Sequence, residues 1–175
     1  MKTIKISWIA LTCLFSLLAT LPAWAQNREE KKAHTERKVN KTIHAKQYKI
    51  NVDYMYPQRG GGRAVTSNYS IEVRNDSLFS YLPYFGVAHR APYGGGKGLV
   101  FDAPINKYEA KKDKKGRIKI ELAVRNEEDS YTYHITLYSN GSANIDVQPN
   151  NKDQITFSGK LEVEESKKEK QINHK

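Results

Sequence analysis

From Gln47 onward the chain alternates apolar and polar residues with few interruptions. Tyr48, Ile50, Val52 and Tyr54 alternate with Lys49, Asn51 and Asp53, the signature of a half-buried strand that Pro57 ends. Gln58-Arg-Gly-Gly-Gly-Arg63 reads as a flexible loop. Tyr69, Ile71 and Val73 form the next strand, and Asn75-Asp76 turns it into Leu78–Leu82. Loops of two or three residues both give plausible pairs for that hairpin. Further on, Leu99-Val-Phe101 predicts a short strand stopped by Pro104, and Tyr108 and Ala110 begin a separate one.

Asp113-Lys-Lys-Gly116 turns into Ile118, Ile120, Leu122 and Val124. A four-residue loop, Asn126–Asp129, sets Val124 opposite Tyr131, Leu122 opposite Tyr133 and Ile120 opposite Ile135. Asn140-Gly141 signals a hairpin. A two-residue turn there mixes the faces. A three-residue loop with Gly141 left-handed pairs Leu137 with Ala143, Ile135 with Ile145 and Tyr133 with Val147. A one-residue slip inverts a whole face, so the burial pattern selects the three-residue loop. Pro149–Lys152 turns into a last strand with Ile155, Phe157, Leu161 and Val163 inward and Gly159 at a close approach. The fold class is all-β: an antiparallel meander of about nine strands closing into a barrel or a two-sheet sandwich.

One stretch breaks the alternation. Tyr81–Gly98 holds three tyrosines, a phenylalanine, two prolines and five glycines. Aromatic rings supply contact area at low entropic cost, and glycines allow a ligand close to the backbone. The structural alternative is a plug, with Leu82, Tyr84 and Phe85 filling a barrel mouth. His89, Arg90 and Lys97 favour a site, because cations make poor plugs. The candidate ligand-binding residues are therefore Tyr81, Tyr84, Phe85, His89, Arg90, Tyr93 and Lys97. Within them Phe85 is expected as a buried anchor, with Tyr84, Tyr93, Arg90 and Lys97 as a surface rim around it.

The ends of the chain differ from its middle. Lys2 and Lys5 precede an apolar run from Ile6 to Leu21, and Ala23-Trp-Ala25 supplies a cleavage pattern. Residues 1–25 are expected to be a signal peptide, which sends the protein to the periplasm or outside the cell. The run is short for a membrane span, so none is expected after cleavage. Cys13, the only cysteine, leaves with it. Residues 26–46 form a charged N-terminal segment, helical or disordered. Residues 47–164 are the β domain, and 165–175 a charged disordered tail. Trimming both charged ends is expected to leave stability unchanged.

Of the formal net charge of +10, residues 48–163 carry only +3, from 16 basic and 13 acidic groups. Basicity sits at the head rather than on the folded body, which argues against nucleic acid as a partner. No cofactor motif is present. Gly94-Gly-Gly-Lys97-Gly98 lacks the Lys-Ser/Thr and following helix of a phosphate loop. The five histidines share no metal-ligand spacing. The three-residue loop at Ser139–Gly141 places His134 opposite Asp146, the base half of a triad, with no serine or cysteine nucleophile in a suitable context. Asn68, Asn75 and Asn140 begin Asn-x-Ser triplets and read as turn residues.

Tyr81-Leu-Pro-Tyr-Phe-Gly-x-Ala88, Ala91-Pro-Tyr-Gly94 and the glycine-rich turn into Leu-Val-Phe101 resemble the secreted Bacteroidetes family catalogued as domain of unknown function 4251. Asn140-Gly-Ser-Ala143 leading into Ile145-Asp-Val147, and Gln154-Ile-Thr-Phe-Ser-Gly159, resemble it too. His89 stands where the resemblance leads one to expect an aromatic residue. The likeness covers about residues 46 to 164 and implies export and a lineage, but no activity. The reading is an exported, non-enzymatic binding or structural module of the bacterial cell envelope, whose ligand is a glycan, lipid or protein. The alternatives are a lipocalin-like carrier of a small apolar ligand and a hydrolase using His134 and Asp146. The sequence sets no oligomeric state.

Overall fold

The computed structural model describes residues 34–90 and 96–162. The expected signal peptide, Tyr93 and the C-terminal tail lie outside these residues. Nine strands follow a helix, α1, that covers residues 34–44. They are β1 (Tyr48–Pro57), β2 (Arg63–Ala64), β3 (Ser70–Arg74), β4 (Ser77–Leu82), β5 (Leu99–Lys112), β6 (Ile118–Arg125), β7 (Ser130–Leu137), β8 (Ser142–Pro149) and β9 (Ile155–Leu161). Every pairing is antiparallel. Strands β1 and β3 to β9 run in order, and β9 returns to β1 to close an eight-stranded barrel. Strand β2 adds only two pairs, on the free flank of β1.

The alternating pattern fixes most of the registers. Val124 faces Tyr131 and Ile120 faces Ile135 across β6 and β7. Leu137 faces Ala143 and Ile135 faces Ile145 across β7 and β8, with Gly141 left-handed at φ 83°. Arg74 pairs with Ser77, so the β3–β4 turn has two residues. Asn75 and Asp76 both have positive φ, 52° and 57°, the requirement of the type I′ turn that matches strand twist. Gly159 lies against the Asn51 carbonyl, where a Cβ would overlap the β1 backbone. Only glycine allows β1 and β9 to meet there.

Strand β5 corrects the expectation of two separate strands. It runs unbroken through Pro104 for 14 residues. The Ile105 amide donates to the Asp76 carbonyl at 2.9 Å, which makes Ser77 and Pro104 a non-hydrogen-bonded pair. The missing proline N–H is therefore not needed on the β4 side. Beyond it, a register shift between Ile105 and Lys107 hands the strand from β4 to β6.

The barrel interior is filled. Tyr133, Phe157, Ile50, Ile71, Leu78, Leu82, Leu99 and Leu122 have no accessible surface. Helix α1 lies at the end of the barrel where Asn75-Asp76 turns, and buries Val39 and Ile43 in the same core. Their spacing of four places them on one helical face. Lys46, at φ 50°, ends the helix with Ile43 accepting from its amide and Thr42 accepting from Gln47, as in a Schellman turn. The helix is thus part of the core, not a detachable charged head. Its exposed ion pairs, Lys112–Glu36 at 2.7 Å and Lys46–Asp76 at 2.8 Å, add little beside that burial.

Candidate functional site

Topology gathers the unusual residues at the barrel end opposite α1. Three loops meet there: 83–98 between β4 and β5, 126–129 between β6 and β7, and 150–154 between β8 and β9. The first is tied to the third by backbone bonds. Asp153 N–H donates to Val87 O at 2.9 Å, and His89 N–H to Asn151 O at 2.8 Å. The buried Asp153 carboxylate accepts from the Val87 amide at 3.1 Å and stands 3.2 Å from His89 Nε2. Tyr84 packs against the core, and its hydroxyl donates to the Asp153 carbonyl at 3.0 Å. Burial, and secondarily the Asp153 charge, push the Tyr84 phenol up to about 12.

Beneath this latch lies Lys152, with a side chain only 5% exposed. Its ammonium lies 3.5 Å from Glu128 Oε2 and donates to Tyr131 Oη at 3.3 Å and Gly98 O at 3.5 Å. A buried cation needs such a set of acceptors around it. Asp129 is buried as well and accepts from Ser130 N, Asn151 N and Asn151 Nδ2. The two short loops are thereby locked to each other and to the long one.

Beside the latch the wall opens. The first half of β5 pairs only with β4, and pairing with β6 begins at Ile105. Past Arg125 the chain turns into the 126–129 loop instead of continuing alongside β5. The resulting cleft, about 740 Å³, is lined by Phe79, Tyr81, Val100 and Phe101 and by the charged residues Lys97, Arg125, Asp102, Glu127 and Glu128. Phe101 stacks on the buried Tyr131 at 4.6 Å, which closes the inner side.

The structure distributes the sequence candidates over three places. Tyr81, 49% exposed, and Lys97 line the cleft, and the Lys97 amide donates to Glu128 Oε1 at 3.2 Å. Tyr84 and His89 belong to the latch, as does the backbone of the exposed Arg90, whose amide donates to Asn151 O at 3.4 Å. Phe85 is not the buried anchor. It is 46% exposed and lies under the Arg63 guanidinium at 4.8 Å. The ring that packs inward is Tyr84, because its hydroxyl finds a carbonyl partner and a phenylalanine in its place would leave that carbonyl unmet. Tyr93 lies outside the described residues. His134 and Asp146 do pair by register, but no ion pair joins them, and Asp146 Oδ1 is buried without a hydrogen-bond partner. Across β6 the neighbour of His134 is Glu121.

Sequence reasoning missed Lys152, Asp153, Asp129 and Glu128. They sit in short turns where charged residues are ordinarily solvated, and no periodic signal marks them. Phe101 was read only as a strand residue.

Fold and site together define a closed antiparallel β-barrel with filled interior, a latched loop over one end and a cleft in its wall. The profile of DUF4251, a domain of unknown function, matches residues 30–161, and the chain belongs to that family. A crystal structure of a DUF4251 family protein from Bacteroides eggerthii DSM 20697 shares the fold with a TM-score of 0.57. That protein is 22% identical, over 74% of this chain and 87% of its own. No curated protein matches the chain.

Proposed function

We propose that the protein is an exported, non-enzymatic binding module and that its ligand occupies the cleft between β5 and the β6–β7 loop. The observation that carries this is the local opening of an otherwise closed wall, floored by aromatic rings and rimmed by both charges. Pockets of about 300–1,000 Å³ with a few polar groups around an apolar floor are where ligands bind. The filled interior supports a surface site over a carrier's internal one. Tyr84 packs at one end of the barrel and α1 at the other, so an enclosed apolar ligand has to displace packed side chains. The residues registering with His134 are Glu121 and Asp146, neither of them a nucleophilic serine or cysteine.

Amide chemical-shift mapping with envelope glycans, phospholipids and peptides as probes tests this. The expected result is a set of shifts confined to Tyr81, Lys97, Val100 and Phe101. A ligand that instead shifts Tyr133 and Phe157 places the site inside the barrel and replaces this proposal with the carrier.

A further inference from the structure

A closed barrel abolishes sheet edges, and this barrel keeps a stretch of edge along β5. The Ile105-to-Asp76 hydrogen bond fixes the alternation along β5. Register is continuous from Ser77↔Pro104 to Leu82↔Leu99. Residues 99, 101 and 103 therefore turn their backbone groups to β4, and residues 100 and 102 turn theirs to the cleft. The Val100 amide agrees with this assignment: it donates not to β4 but back to the Lys97 carbonyl at 3.2 Å. What remains on the cleft side is the Val100 carbonyl and both the amide and carbonyl of Asp102. None of these groups belongs to a strand pairing among the described residues. Both residues are exposed.

Resting on the cleft reading above, we infer that the ligand is an extended polypeptide segment that adds as a strand to the free edge of β5. The acceptor–donor–acceptor order at 100–102 matches one side of an antiparallel strand, with a residue opposite Asp102 exchanging both bonds and its second neighbour donating to Val100 O. Glycans and acyl chains carry no such repeat of amide groups. The side chains of the added strand alternate between two apolar surfaces. Outward ones meet Tyr81 and Val100, 49% and 38% exposed, and inward ones meet the edge of the Phe101–Tyr131 stack. The geometry calls for apolar residues at every second position, as in other strand additions.

Residues 1–25 are expected to leave as a signal peptide. Of the other segments outside the described residues, 26–33 and 163–175 are dominated by charged residues and 91–95 are Ala-Pro-Tyr-Gly-Gly. The strand end at Leu161 also lies at the α1 end, away from the cleft. The occupant is a separate polypeptide.

The test uses the purified protein and a phage-displayed library of random linear peptides. Selected peptides are resynthesised with and without N-methylation at alternate residues, which removes amide donors from one edge. Loss of one such bond weakens binding by about tenfold. The inference expects at least that loss on N-methylation, the same loss with Asp102→Pro, and slower exchange of the Asp102 amide in the bound wild-type protein. Because the Asp102 N–H faces the cleft, the proline leaves the β4 ladder intact, and an unchanged melting temperature confirms it. If Asp102→Pro lowers the melting temperature, amide exchange in the wild type decides alone. N-methylated peptides that bind equally well, or an Asp102 amide that exchanges at the same rate with peptide bound, overturn the inference. If no peptide is selected but a glycan or lipid shifts the cleft amides, strand addition fails and the cleft reading stands. If no probe shifts them, both fail.

Discussion

Replacing Tyr84 and Phe85 in turn separates the two roles that their adjacency in sequence conceals. Tyr84 packs on the core and closes a hydrogen bond to the Asp153 carbonyl at 3.0 Å. Tyr84→Phe removes that donor and leaves the carbonyl half-buried without it, at a cost of about 1–2 kcal/mol. Tyr84→Ala also removes the ring. Deep aromatic deletions cost about 3–5 kcal/mol, and Tyr84 is only partly buried, so about 2–3 kcal/mol is expected. Phe85 is 46% exposed and contacts Arg63 from the surface. A cation–π contact at such a site is worth about 0.5–1 kcal/mol, which bounds Phe85→Ala. Urea melts of the three variants measure the differences. Alkaline pH supplies an independent check. The Tyr84 phenol is raised to about 12, above its ordinary value near 10. The unfolded chain releases its proton first, so the stability tied to the neutral phenol is complete below pH 10 and is lost as pH rises toward 12. Burial raises Tyr133 in the same direction, so the wild type loses stability throughout that window, and Tyr84→Phe flattens the loss without abolishing it. A larger cost for Phe85→Ala than for Tyr84→Ala refutes the assignment of Tyr84 as the inward ring.

Two further outcomes test the barrel itself. Gly159→Ala drives a Cβ into the Asn51 carbonyl and is expected to cost more than about 2 kcal/mol, as overpacking at an unyielding backbone does; a variant with unchanged denaturant midpoint disproves the close approach. Ile43→Ala, in the α1 face that enters the core, is expected to cost about 2–4 kcal/mol, and a cost below 0.5 kcal/mol, the range of ordinary surface changes, returns α1 to the status of a detachable head.

Period-two alternation determined the strands, and together with turn chemistry it determined several registers. Tyr133 opposite Val147, Leu122 opposite Tyr133 and the left-handed Gly141 all follow from keeping apolar residues on one face. Such facts are local: they depend on residues a few positions apart, whose burial the pattern records directly. The β3–β4 turn was less legible, because two loop lengths kept acceptable faces and only the backbone angles at Asn75 and Asp76 decided between them. Pro104 misled in the same way, since a proline's tolerance within a strand depends on which side its absent N–H faces. The helical face of Val39 and Ile43 was present in the sequence but obscured by the charges around it. Tyr81 and Lys97 aside, what makes the candidate site came from tertiary structure. Barrel closure brought 83–98 against 150–154, residues about 66 positions apart, which gave Asp153 its Val87 partner, and brought the 126–129 loop to Lys152, which gave it Glu128. The same closure left the β6 side of β5 unpaired over its first half, because β6 turned away at Arg125. No periodicity in either strand records where its neighbour stops.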